Sequence, residues 1–66
     1  MKKILEFKMF CIENYKSTYK MTGKEVAELF EKYGVLNYIN TFYDDLHCYG
    51  SEYIINDLKA YIKARK

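Results

Sequence analysis

Proline is absent from this 66-residue sequence, and glycine occurs only three times. No helix is therefore forced to end at a proline. The glycines, Gly23, Gly34 and Gly50, are spaced so that each can separate two helices. No run approaches the roughly 18 apolar residues that cross a bilayer, so we expect a soluble chain with no membrane partner.

Cysteine and histidine are also scarce. Cys11 and Cys48 are too few for a disulfide scaffold. Glu6 and Lys8 interrupt the apolar segment that a signal peptide would need, so we expect a cytoplasmic protein with reduced thiols.

The sequence has no paired carboxylate site, no nucleophile with its base and no phosphate-cradling loop. We expect no catalytic residues, no cofactor and no metal.

Half of the residues are hydrophobic, and eight tyrosines and four phenylalanines supply the aromatic rings. This composition and the short length exclude a disordered chain and predict one folded domain over residues 1–66, which the apolar spacing described below makes a single helical domain. A core of this size rarely supplies more than about 3 to 5 kcal/mol. A protein partner, or a second copy in a homodimer, is therefore expected to add interface.

Charge is distributed in three segments. Residues 1–20 carry five lysines and two glutamates, residues 21–50 two lysines and five acids, and residues 51–66 four bases and two acids. The formal charges are therefore +3, −3 and +2. Both ends are basic and the middle is acidic, which gives no single strong basic face for nucleic acid.

Apolar residues recur at helical spacing throughout the chain, which predicts an all-α fold, a compact bundle or orthogonal array of four short helices. The first helix, over residues 2–20, presents an apolar stripe. Its members are Ile4, Leu5, Phe7, Cys11, Ile12, Tyr15 and Tyr19. Met9 and Phe10 fall outside that stripe, so they are candidates for a partner-binding or self-association face.

Glycines and a capping box mark the other three helices. Thr22 and Glu25 form the capping-box pattern that begins the second helix, and Gly34 is suited to end it. A third helix is predicted from Val35 to Tyr49. Its inner face contains Val35, Tyr38, Ile39, Phe42, Tyr43, Leu46 and Tyr49. Ser51 is the predicted N-cap of a fourth helix, whose inner face is Ile54, Ile55, Leu58, Tyr61 and Ile62.

The segment from Thr22 to Ile39 resembles a DNA-binding helix-turn-helix in its amphipathic pattern. Phosphate neutralisation by lysine and arginine supplies most of the affinity in such proteins. The predicted recognition helix has neither residue and carries Asp44 and Asp45 instead. We therefore expect this helix pair to be structural. The alternative is a DNA-binding regulator that uses its basic terminal helices, gathering Lys2, Lys3, Lys59, Lys63 and Lys66 on one face.

His47 lies one predicted helical turn after Asp44, a spacing that lets a carboxylate orient an imidazole. Zinc would need about four ligands, and a nucleophilic pair would need a thiol within reach of His47. We expect a structural hydrogen bond from His47 to Asp44 or to a nearby carbonyl. The tyrosines are expected mainly in the core with hydroxyls at its rim, and the alternative is a stacking surface for single-stranded nucleic acid.

Four segments, "FCIENYK", "GKEVAELFEKYGVLNYI", "YDDLH" and "EYIINDL", occur in this order over nearly the whole chain. In this they resemble a family of short bacterial proteins of unknown function (DUF3791). The resemblance implies genes beside those of proteins with an ADP-ribosyltransferase-like domain, and hence a small-partner or antitoxin-like role. It transfers no catalytic residue. We expect a non-enzymatic protein-protein interaction module, with Met9, Phe10, Asp44 and His47 as partner-binding residues.

Overall fold

Five helices form the described part of the chain, which in this computed structural model is residues 2–66, with side chains from residue 3 onward. They are α1 (Lys2–Tyr19), α2 (Gly23–Lys32), α3 (Val35–Thr41), α4 (Tyr43–Leu46) and α5 (Ser51–Arg65). No strand occurs within these residues. The predicted all-α class is confirmed, and α4, a single turn, is additional to the four predicted helices.

The helices pack around α1 and α3. α1 contacts α2, α3 and α5, while α3 contacts α2, α4 and α5. The molecule measures 25 × 22 × 20 Å, nearly equal in all directions, which favours an array of crossed helices over an elongated bundle. Apolar side chains from all five helices are buried. They are Cys11, Tyr15, Val26, Phe30, Val35, Ile39, Leu46, Ile54, Ile55, Leu58 and Ile62.

Both ends of α2 follow the sequence prediction. The Glu25 amide donates to Thr22 Oγ1 at 3.1 Å, and the Thr22 amide donates to Glu25 Oε1 at 2.9 Å. Gly34 has φ +66°, a left-handed conformation in which a side chain would be strained. Because α3 begins at the next residue, this one glycine sets the direction in which α3 leaves α2.

The prediction of one helix from Val35 to Tyr49 is wrong, because the helix breaks at Phe42. Phe42 has φ −106° and ψ 18°, outside the helical region, and separates α3 from α4. Just before the break, Thr41 Oγ1 donates to the Asn37 carbonyl at 3.0 Å. Such a bond from a side chain to the preceding turn bends helices, and asparagine and threonine are weak helix formers.

Several finer predictions also differ from the structure. Gly50, not Ser51, is the N-cap of α5, and Ser51 is its first helical residue. Leu5, predicted in the core stripe, is 61% exposed. Phe42 and Tyr49 are 45% and 49% exposed, because the break removes them from a continuous inner face. The predicted inner face of the last helix lies inward, with Tyr61 half-buried at its rim.

α1 ends in a left-handed residue that is not glycine. Lys20 has φ +52°, and the Met21 amide donates to the Lys16 carbonyl at 3.0 Å across the turn. This is the backbone pattern in which glycine is the usual residue. A side chain in this conformation costs about 1 kcal/mol or more, so the end of α1 stores local strain.

Replacing Lys20 with glycine is therefore expected to stabilise the protein by roughly 0.5 kcal/mol, after the greater chain entropy of unfolded glycine is deducted. The measurement is urea unfolding followed by circular dichroism. Lys20→Ala is the matched control, because it removes the same charge and keeps the strained Cβ. Equal stabilities for the two variants would show that Lys20 is not strained.

The two thiols differ sharply in environment. Cys11 is fully buried in the core, and burial raises the pKa of its thiol to about 12. Cys48 is exposed beyond α4, with its thiol 3.5 Å from the Asp44 carbonyl oxygen. Thiolates, not thiols, react with disulfide reagents. Cys11 is therefore protected both by its burial and by its protonation.

A chromogenic disulfide reagent is expected to modify one thiol quickly at pH 8 and the second about a hundredfold more slowly or slower, because Cys11 must wait for the core to open. The absorbance of the released thiolate gives both rates. Cys48→Ser should remove the fast phase alone, and Cys11→Ala the slow phase alone. A fast phase that survives in Cys48→Ser would contradict the buried position of Cys11.

Candidate interaction surface

Four aromatic side chains form a continuous row from α1 to α4, here called the ring row: Phe10, Phe7, Tyr43 and His47. Phe10 and Phe7 are stacked with centroids 6.0 Å apart. Phe7 meets Tyr43 edge-to-face at 5.3 Å, and Tyr43 stacks on His47 at 4.6 Å. The row thus connects two of the residues singled out from the sequence, Phe10 and His47, through two that were assigned to the core.

Helical spacing builds each half of the ring row. Phe7 and Phe10 are three residues apart on α1, and Tyr43 and His47 are four apart at α4, so each pair lies on one side of its helix. The contact between Phe7 and Tyr43 then joins the halves, in the geometry that gives aromatic pairs about 0.5 to 1.5 kcal/mol. Phe10 is 42% exposed and His47 is exposed, whereas the two middle rings are half-buried.

His47 is held by the backbone rather than by Asp44. Its Nδ1 lies 2.7 Å from the Tyr43 carbonyl oxygen. Because a carbonyl only accepts, Nδ1 carries the proton and donates, and Nε2 remains as the second polar atom of the ring. The sequence predicted a bond from His47 either to Asp44 or to a nearby carbonyl. The bond to a carbonyl is present, and among the described residues His47 makes no hydrogen bond to the Asp44 side chain. Asp44 lies exposed one turn before it.

Met9 does not join the ring row. Adjacent positions on a helix differ by about 100° in direction, so Met9 and Phe10 project from different flanks of α1. Met9 instead shares its flank with Leu5, four residues earlier, and the two side chains are 60% and 61% exposed. Met9 and Phe10 therefore belong to two apolar patches that point about 100° apart on the outer surface of α1.

A second feature is a cleft where α3, α4 and α5 meet, here called the acidic cleft. Its lining residues are Tyr38, Phe42, Asp45, Leu46, Tyr49, Tyr53 and Asp57. Tyr49 and Tyr53 are stacked with centroids 4.2 Å apart, and they bridge the segment between α4 and α5. Phe42 lies against Tyr38 at 4.9 Å. Asp45 and Asp57 bring negative charge to this aromatic lining.

One hydrogen bond ties α3 to α5 inside the acidic cleft. The Tyr38 hydroxyl donates to Asp57 Oδ2 at 2.6 Å. Burial raises the pKa of Tyr38 to about 12, and the bond to Asp57 and its negative charge contribute in the same direction. The phenol therefore stays protonated across the physiological range and remains a donor to the carboxylate.

The basic residues gather only in part. Lys59, Lys63 and Lys66 line one cavity at the C-terminal end of α5, together with Tyr15 of α1 and Leu29 of α2. Lys3 lies twelve residues before Tyr15 on α1, about 18 Å along the helix axis. The side chain of Lys2, the fifth residue named for this face, lies outside the described residues. α3, which is the first part of the predicted recognition helix, is only seven residues long and has no lysine or arginine.

Across residues 2–66, no group of three or more histidine, cysteine, aspartate or glutamate side chains is placed to hold a metal ion. No helix in that range is long and apolar enough to cross a membrane.

Of the eight tyrosines, Tyr15 is buried, five are half-buried, and Tyr49 and Tyr53 are exposed. The half-buried majority agrees with a core-rim role, while the exposed pair belongs to the acidic cleft.

Sequence reasoning missed the ring row as a unit. It identified the acidic charge of the third predicted helix, with Asp44 and Asp45, but not the cleft that Asp45 lines. Periodicity assigned Phe7 and Tyr43 to the core, and it had no means of showing that they meet. The cleft did leave one signal, since the sequence from residue 33 to residue 58 contains no lysine or arginine. A long base-free segment with exposed aromatic residues indicates an acidic aromatic surface, although not its shape.

Comparison with known proteins gives one match. A family model described as "Protein of unknown function (DUF3791)" matches residues 6–65. No curated protein and no solved structure matches the chain. The match spans all five helices apart from the first residues of α1, so the ring row and the acidic cleft both lie within it.

Replacing Tyr38 with phenylalanine is expected to destabilise the fold by about 1 kcal/mol at pH 7, because it removes the bond to Asp57. The ordinary tyrosine pKa of 10.0 is raised to about 12 in the folded chain. The stabilisation from the protonated Tyr38 hydroxyl is thus complete below pH 10 and is lost as the pH rises towards 12. Between pH 10 and pH 12 the free energy of unfolding should therefore fall less in the variant than in the wild type.

Urea unfolding at several pH values measures both effects. Tyr33→Phe is the control, since Tyr33 is half-buried and its hydroxyl has no hydrogen bond among the described residues. If Tyr38→Phe and Tyr33→Phe gave the same stability at every pH, the bond to Asp57 would contribute nothing.

Proposed function

We propose that this chain, which belongs to the DUF3791 family of proteins of unknown function, is a non-enzymatic module that binds another protein through the ring row. The observation that carries the proposal is the continuity of four rings across two helices, with exposed rings at both ends. Aromatic side chains are enriched where protein interfaces are buried most completely. Phe10 is the anchor in this proposal.

Polar groups beside the rings give the surface its specificity. Nε2 of His47 and the carboxylate of Asp44 lie beside the α4 end of the row, where they can pair with groups of a partner. Rings in the middle and polar groups at the edge match the usual organisation of a protein interface. Met9 lies on the other flank of α1, so it takes part only with a partner large enough to cover the outer face of that helix.

The family resemblance suggests which partner to test first. We propose a bacterial protein encoded beside this one and carrying an ADP-ribosyltransferase-like domain, with the present chain as its small, antitoxin-like partner in the cytoplasm. This gene neighbourhood is what the family resemblance implies, and it supplies no mechanism. A second copy of the chain is the competing occupant, because an exposed aromatic row can also serve a homodimer.

DNA binding through the C-terminal lysines is the second candidate function, favoured by the convergence of Lys59, Lys63 and Lys66. Lys59 and Lys63 lie on α5 and Lys66 directly follows it, so none of them lies on the helix pair that resembles a helix-turn-helix. Phosphate contacts give binding that weakens steeply with salt, so a salt series on random duplex DNA distinguishes this function from protein binding.

Phe10→Asp is expected to weaken partner binding at least tenfold, because it replaces the anchor ring with a charge that must be desolvated in the interface. The measurement is affinity purification of the tagged chain from its native cell, followed by mass spectrometry and titration of the recovered partner. Sedimentation of the isolated chain at several concentrations shows whether the partner is a second copy.

Ser17→Asp is the matched control, since it adds the same charge to the exposed side of the same helix and leaves the ring row intact. Circular dichroism establishes that both variants are folded. If the partner bound both variants equally well, the ring row would not be the interface.

A further inference from the structure

We infer that the acidic cleft is a second binding site, one that receives an arginine side chain of a partner protein. It lies apart from the ring row, with which it shares no residue. Tyr43 and Asp45 are two positions apart on α4, so they point about 200° away from each other. The inference therefore goes beyond the proposed function and is tested independently of it.

The first argument is the charge of the segment that builds the cleft. Every lining residue lies between Tyr38 and Asp57. From residue 33 to residue 58 the chain contains no lysine or arginine and four acids, Asp44, Asp45, Glu52 and Asp57. Two of these acids, Asp45 and Asp57, line the cleft itself, and no lysine or arginine does. A cleft lined by charge of one sign concentrates ligands of the other sign.

The second argument is the exposed aromatic surface. Phe42, Tyr49 and Tyr53 are 45%, 49% and 53% exposed, although large rings are usually covered. A cation above such a ring is attracted by its negative face. The cleft is open to solvent and has a volume of about 360 Å³, enough for the end of one side chain. Rings and carboxylates in one cleft select a group that is both flat and positively charged.

The third argument is how the chain already places its own cations. Lys32 lies over Tyr33, Lys59 over Tyr19 and Arg65 over Tyr61. Arg65 is the closest of the three, with its guanidinium carbon 3.7 Å from the ring centroid. Within the described residues, no such cation covers Phe42, Tyr49 or Tyr53. The cleft is thus left for a cation from another molecule.

Arginine fits this lining better than lysine. Its planar guanidinium stacks on a ring while its nitrogens donate two parallel hydrogen bonds to a carboxylate, whereas lysine offers a compact ammonium. Oδ2 of Asp57 already accepts from Tyr38, which leaves Oδ1 of Asp57 and the exposed carboxylate of Asp45 as acceptors. The Tyr38 bond also holds the Asp57 carboxylate at the cleft wall.

The test is a titration of the ¹⁵N-labelled full chain with a blocked Gly-Arg-Gly peptide, followed by amide chemical shifts. We expect the largest shifts at Asp45, Tyr49, Tyr53 and Asp57. The same peptide with citrulline, which keeps the shape and lacks the charge, should bind at least tenfold more weakly. Gly-Lys-Gly should bind at least threefold more weakly, because an ammonium does not stack or pair in the same way.

Asp45→Asn should weaken binding of the arginine peptide at least fivefold. Glu52→Gln is the matched control, since it removes one charge from the same base-free segment at a residue outside the cleft, and binding should stay within twofold. Equal binding of the citrulline or lysine peptide would overturn the assignment to arginine. Chemical-shift changes at other residues would show that the cleft is not the binding site. Changes at the cleft residues when the free chain is diluted would show that a second copy of the chain occupies the cleft, and they would overturn the proposal too. None of these results involves Phe10, so the proposed function would stand.

Discussion

The break at Phe42 is the constraint on which both surfaces depend. Thr41 returns a hydrogen bond to the Asn37 carbonyl, Phe42 leaves the helical conformation, and the chain begins a new turn at Tyr43. This new turn carries Tyr43 to Phe7 and Asp45 to the cleft beside Asp57. Had the helix continued to Tyr49, Phe42 and Tyr49 would have pointed to the core with the other apolar residues of that face.

The core explains why the break is tolerated. Val35 and Ile39 bury the inner side of α3, and Ile54, Leu58 and Ile62 bury that of α5, so these two helices hold the chain on both sides of the break. α4 adds one buried side chain, Leu46. The segment between residues 42 and 50 therefore contributes little to the core, and its rings stay at the surface.

Much of the fold was predictable because its signals are local. The Thr22 box, Gly34 and the spacing of Ile54, Leu58 and Ile62 each act within one or two turns, and each prediction is confirmed. Apolar spacing alone did not indicate the break at Phe42, because that spacing is the same for one long helix and for two short ones. The ring row and the acidic cleft depend on contacts between distant residues, such as Phe7 with Tyr43 and Tyr38 with Asp57, which periodicity does not encode.

The small size of α4 has a consequence for how the two surfaces would behave together. Its four residues supply Tyr43 to the ring row and Asp45 and Leu46 to the acidic cleft, on opposite sides of one helical turn. If both proposals hold, a ligand on either side would restrain the same few backbone dihedrals, and the entropy lost in that restraint would be lost only once. Binding at one surface would then favour binding at the other by an equal factor in both directions. A single turn of helix would make two separate recognition events cooperative, with no movement of the core.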